Sequence, residues 1–220
     1  MTITWQILVH VVLFAIWFGT GLAGAIVLAR TARSAAAAPA MVGTALLLER
    51  IARTAFVLML PAGLQLASDL GLITLSGLGA LGAWLVGIVW VVVLWLRPPE
   101  TGDSAARASR MVGRVFLAVV GALLLGWAVL GAIGQEAAVP GWLAAKIAIF
   151  GAVLFLTLAS DVMHDRLLAL FHHRGPEQAS AETLAPVLQA IGPRVLAVQL
   201  AISLGLIAAA WMGLVHGPHL

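Results

Sequence analysis

Residues 141–162 read GWLAAKIAIFGAVLFLTLASDV, an apolar run long enough to cross a bilayer, with one cation set a few residues inside it. Lys146 is the single lysine of the chain; Lys and Arg together number 12, so the other eleven are arginine. On a helix of about 3.6 residues per turn, Thr157, Ser160, Asp161 and His164 all fall within about 60° of Lys146. The run predicts a membrane helix with one polar seam, a cation at one end and a carboxylate near the other. An ionisable group at membrane depth is costly, so it faces protein or water and marks a candidate site. A lysine snorkelling to the near interface is the plainer reading.

Composition extends the membrane assignment to the whole chain. Of 220 residues, 62% are hydrophobic and only 10% charged, and the mean hydropathy is +1.09. These values exclude an ordinary soluble domain. The length allows about six spans of roughly 20 residues each. The arginines sit in loops, and no tract combines basic and aromatic residues, so the basic balance speaks for membrane orientation and against a nucleic-acid partner. With no cysteine, disulfides, thiolate metal sites and iron–sulfur clusters are excluded. The first apolar run has no basic residue before it, and Arg30 and Arg33 follow it. It reads as a retained span, not a cleaved signal peptide.

The expected fold is therefore all-α: a polytopic membrane protein forming one bundle of six transmembrane helices. The spans are about 5–29, 54–73, 77–96, 114–133, 140–162 and 195–215. In the first, Gly19, Gly21, Ala23, Gly24 and Ala25 permit close packing in lipid, and His10 and Trp17 share their face with Gly21 and Gly24. The second contains Pro61, followed on nearly the same face by Gln65, Ser68 and Asp69. The third, with Trp84, Trp90 and Trp95, is expected on the lipid side. Arg97-Pro98-Pro99 ends span three, the loop on to Arg114 is polar with Asp103 as a plausible N-cap, and Gln135-Glu136 closes span four. Residues 180–191 are predicted as a short surface helix. Gln199 and Ser203 lie on one face of span six.

All eleven arginines fall in or beside the connections one–two, three–four and five–six. The positive-inside rule then places both termini outside the cytoplasm, in a bacterial cytoplasmic (inner) membrane. Two polar layers follow. The outer holds His10, Asp69, Gln135, Glu136, Lys146 and His216; the inner holds Asp161, His164 and the arginines.

The spacings HExxH, CxxC and HxxxH are absent, so no zinc-type motif is present. His172-His173 reads as a solvated loop pair. What remains is intramembrane His10, Lys146 and Asp161, with Arg30, Glu49, Arg50 and Arg53 at the inner rim. His10 is the best candidate for an axial haem ligand, since a neutral imidazole on a packed helix face is the usual one. A packing histidine is the alternative. A second ligand is poorly served: His216 lies roughly 140° from the Gln199/Ser203 face, and His164 is at the other end of the bundle.

His10, Trp17-Phe18-Gly19, Arg30, Leu48-Glu49-Arg50-Ile51-Ala52-Arg53, Pro61-Ala62-Gly63-Leu64 and Gly141-Trp142-Leu143-Ala144-Ala145-Lys146 together resemble the HemJ-type membrane protoporphyrinogen oxidases. The layout is also similar to the wider CopD-like membrane proteins. The resemblance covers spans one, two, five and part of six, with spans three and four as an added hairpin. It implies a b-haem on His10, which is also the one expected metal ligand. It implies catalytic roles for Lys146, Arg30 and Asp161; the histidine that the family carries one helix-length after the lysine is missing here, and the chain offers Thr157 in its place, or Asp161 one turn later. The implied cofactor pocket is bordered by His10, Trp17, Gln65, Asp69 and Lys146, with electrons passing to a membrane quinone or a partner subunit. A homo-oligomer or larger membrane complex is a further expected association. Two readings stay open beside it. One is a CopD-like copper transport or resistance protein, for which the six methionines form no MxxM cluster. The other is a non-catalytic accessory subunit of a membrane complex.

Overall fold

Six helices make up the computed structural model, which describes residues 2–31, 38–96, 104–133, 139–174 and 181–216. The expected cap at Asp103, the first part (97–103) of the loop expected up to Arg114, Gln135-Glu136, Arg33 and the side chains of His172 and His173 lie outside the described residues. In order the helices are α1 (Thr2–Thr31), α2 (Ala38–Asp69), α3 (Gly77–Leu96), α4 (Ser104–Ile133), α5 (Gly141–Arg174) and α6 (Ala181–His216), and no strand occurs among the described residues. Five of them, all but α2, are long and apolar enough to cross a membrane. The chain is thus all-helical, with the character of a multi-pass protein associated with a lipid bilayer. α2 is the exception because Glu49, Arg50, Arg53, Gln65 and Asp69 dilute its apolar run.

Four helices overrun the apolar stretches that announce them, and all four do so at the arginine-bearing end. α2 starts at Ala38 where a loop to residue 53 is expected, α4 starts at Ser104, and α5 continues to Arg174. The stretch 180–191 is no separate surface helix. It is the first part of α6, which runs on through Pro186 and Pro193. The overruns are held by a core of their own: Val42, Ala45 and Leu46 of α2 pack with Leu167 and Leu168 of α5, Leu184, Leu188, Ile191 and Val195 of α6, and Ala25 and Leu28 of α1. Each such leucine gains about 1.5–3 kcal/mol on leaving water, which favours continuing the helices over ending them at the membrane surface.

A second cluster fills the middle of the bundle around Trp17, whose ring lies 4.9 Å from Phe56 and 5.8 Å from Phe150. The helices approach closely through small residues. A Cβ on Gly151 of α5 would stand 2.9 Å from Leu125 Cγ and 3.1 Å from the Gly121 carbonyl of α4, so these two helices meet backbone to backbone. Gly192 does the same for α6 against α1, with Ala29 Cα 3.2 Å away.

α1 packs between α2 and α6, α5 between α4 and α6, and α3 rests on α2. The buried residue of α3 is Gly87, where a Cβ would lie 3.3 Å from the ring of Pro61. Leu78, Leu85, Val89 and Leu96 are exposed, in keeping with a lipid-facing helix. Its tryptophans, however, turn toward protein. Trp84 Nε1 donates to Gln65 Oε1 at 3.1 Å and Trp95 Nε1 to Thr54 Oγ1 at 2.9 Å. Trp90 stacks on Phe116 of α4, centroids 4.6 Å apart. That stack, with Gly113 beside Trp90, is where α3 and α4 meet.

Candidate functional site

The outer polar layer is built from α1, α2, α5 and α6. His10 lies against Gly63 of α2, where a Cβ would be 3.3 Å from its Cε1 and 3.7 Å from its Nδ1. A larger residue at 63 would make the ring give way by a few tenths of an ångström. His10 Nδ1 is buried without a hydrogen-bond partner. Lys146, one turn into α5, presses its ammonium toward α6, 3.1 Å from where a Cβ on Gly213 would be. It is near enough to His10 for its charge to act on the imidazole, and among the described residues no carboxylate pairs with it. Two residues from distant parts of the chain thus lie at the same end of the bundle.

The other nominated residues stand apart from this pair. Gln65 accepts from Trp84, and Asp69 accepts from Gln6 Nε2, so both border the outer end while engaged by α3 and α1. Trp17 is buried in the aromatic core below His10. Arg30 is exposed in the last turn of α1, and His216 is exposed at the end of α6.

The inner layer is where the seam on α5 finds its partners. Ser160, Asp161 and His164 are 9%, 8% and 7% exposed, so the seam faces the bundle. Its cation is Arg53 of α2, not Lys146. Arg53 Nη1 donates to Asp161 Oδ2 at 3.0 Å and Nη2 to Asp161 Oδ1, a two-pronged contact matched to the carboxylate. Nη2 also reaches Glu49 Oε1 at 2.6 Å. His164 Nδ1 lies 2.8 Å from the Ser160 carbonyl, which can only accept, so Nδ1 carries a hydrogen. Nε2 then faces Glu49 Oε2 at 3.4 Å. Arg114 of α4 donates to Asp165 Oδ1 at 2.6 Å and to the Asp161 carbonyl at 3.1 Å. This network rests on α2 being helical through 49–53, the region expected as loop. The Glu49/Arg53 spacing, four apart as on one helix face, was the signal available for it.

Two cavities flank the network. The larger, about 510 Å³, lies among α2, α3, α4 and α5; Glu49, Arg53, Asp161 and His164 form its charged end, and Val57, Leu85, Val89, Val93 and Leu117 its walls. The smaller, about 50 Å³, lies behind Arg53 among Gly21, Gly24, Ser160 and Gln199. Gln199 Nε2 and Ser203 Oγ are buried in this region without hydrogen-bond partners.

No group of three His, Asp or Glu side chains suited to a metal ion occurs among the described residues, so a metal here would need a ligand frame of its own. Haem brings one, and the outer pair fits it in two respects. His10 offers a buried ring nitrogen with no competing partner, and Lys146 offers a charge suited to a propionate carboxylate. Compared with protein-family models, with curated proteins and with solved structures, the chain matches none.

Proposed function

We propose that the chain is a six-span protein of the bacterial cytoplasmic membrane and acts as a b-haem-associated oxidoreductase of the HemJ- and CopD-like kind. The observation that carries this reading is the placing of His10 and Lys146 at one end of a bundle of apolar helices, where no carboxylate pairs with Lys146 among the described residues and His10 Nδ1 is buried without a hydrogen-bond partner. His10 would hold the iron and Lys146 a propionate, with Gln65 and Asp69 at the border and Trp17 packed below. Bound there, haem supplies one-electron chemistry, with a membrane quinone or a partner subunit as the other party. Arg30 and Asp161, tied to activity by resemblance, sit away from this pair, and Asp161 is engaged by Arg53. The accessory-subunit reading draws on that same engagement, since mutually satisfied inner charges hold helices together without any substrate. Copper handling is favoured by no comparable grouping of side chains.

Lys146→Met tests the pair, because it keeps the stem and removes the charge. Haem retained through purification should fall about tenfold, the loss expected for a charged hydrogen bond, while folded protein in the membrane stays nearly constant. Unchanged haem content would make Lys146 an interface residue and sever it from the site.

α2 is the sixth span in this reading. Its polar side chains are met from within: Arg53 by Asp161, Gln65 by Trp84, Asp69 by Gln6. A charge so paired need not face lipid. An even number of spans with the arginines on one side sets both termini outside. Reporters fused at residue 105 and after Leu220 should therefore report cytoplasm and exterior respectively. A cytoplasm-only reporter active after Leu220 overturns both the span count and the orientation.

A further inference from the structure

The smaller cavity sits where four helices meet. Gly21 and Gly24 reach it from α1, Glu49 and Arg53 from α2, Ser160 and His164 from α5, and Gln199 from α6. Gly21 gives it its shape. A Cβ there would stand 2.8 Å from Gln199 Nε2, so any side chain at 21 would push the carboxamide aside. The space is about 50 Å³, and a water needs about 10–15 Å³ of such space, so about three waters fit.

The polar atoms around it do not satisfy one another. Gln199 Nε2 carries two hydrogens and is buried without an acceptor, although Glu49 lines the same space. Ser203, one turn further along α6 and 5% exposed, has no partner for its Oγ. Thr157 Oγ1 gives its hydrogen to the Val153 carbonyl and so presents only lone pairs to the cavity it lines. With its ring neutral and the hydrogen on Nδ1, His164 turns a lone pair at Nε2 toward Glu49 Oε2, 3.4 Å away. Two acceptors so placed need a hydrogen from a third group. Buried polar groups left unpaired are costly, and cavities that stay dry are apolar ones. This one is polar.

We infer that this junction is an internal hydration site, in which a cluster of about three waters joins Gln199 to Thr157, Glu49 and His164. One water accepts from Gln199 Nε2, and another gives its hydrogens to Glu49 Oε2 and His164 Nε2. Bridging waters of this kind bond nearly as well as direct contacts. The cluster ties α6 to the ionic layer of α2 and α5. It is separate from the His10–Lys146 pair and does not depend on haem.

Radiolytic hydroxyl labelling of the full chain in detergent, read by mass spectrometry, tests it. Radicals made from a bound water oxidise the side chains beside that water. Ile202 lines the cavity. Leu206, one turn on in the same apolar cluster, is not part of its lining, and the two are 2% and 3% exposed. In the wild type Ile202 should be oxidised several-fold faster than Leu206, a comparison that needs no variant. Gln199→Met keeps the length of the side chain and removes the donor. Labelling of Ile202 should then fall several-fold. The unfolding midpoint should drop by about 3 °C, the loss of one net hydrogen bond in a chain of this size. A dry cavity predicts the reverse: equal labelling of Ile202 and Leu206 in the wild type, and a higher midpoint once the unpartnered donor is gone. Either of those results, or unchanged labelling of Ile202 in Gln199→Met, would overturn the inference.

Discussion

Arg53→Met should destabilise the folded bundle by about 3 kcal/mol, near the lower end of what removing one partner of a buried ion pair costs. In a detergent-solubilised chain of this size that corresponds to a fall in unfolding midpoint on the order of 10 °C. The reason is the crowding of acids that Arg53 now resolves. Asp161 is 8% exposed and takes both prongs of the guanidinium, and Glu49 takes a third contact at 2.6 Å. Without Arg53 both carboxylates stay between two apolar clusters, and Asp161 loses both prongs of its partner. Adding Asp161→Leu removes the acid most dependent on Arg53, so the double variant should be more stable than Arg53→Met alone. That comparison separates loss of pairing from loss of side-chain bulk. A single variant with an unchanged midpoint would mean that the ionic layer contributes little to folding.

The ionic layer is also where the sequence was least informative. Six apolar runs read as spans, and five of them are helices long and apolar enough to cross a membrane, because a bilayer requires long uninterrupted apolar segments. The overruns could not be read the same way, since the charged residues in them lower any window average. Their periodicity was nonetheless present: Leu184, Leu188, Ile191 and Val195 recur at helical spacing, as do Val42, Ala45 and Leu46, and all are buried. α6 contains Pro186 and Pro193. The helix continues through them because packing holds it from the side, Gly192 lying against α1. The partner of Asp161 lies 108 positions away, and no local pattern identifies it. The polar seam on α5 was legible; which helix answered it was not.

The outer site shows the opposite balance. His10 and Lys146 were conspicuous in sequence as isolated ionisable groups in apolar surroundings, and their meeting follows from α1 and α5 both packing against α6. Gln65 and Asp69 looked equally available by helical position, yet each is engaged by a neighbouring helix. Helical periodicity places a side chain on a face but does not say what that face meets.

The central claim, that this pair is a haem site, is tested most directly by the absorption spectrum of the detergent-purified protein beside that of His10→Ala. The wild type, produced in cells replete with haem, should show a Soret band. His10→Ala should lose it almost completely, because among the described residues no other buried imidazole lies at this end of the bundle, while reaching the membrane in similar amount. A wild type without a Soret band, or a His10→Ala protein with the band unchanged, would contradict the account and leave His10 as a packing residue over Gly63.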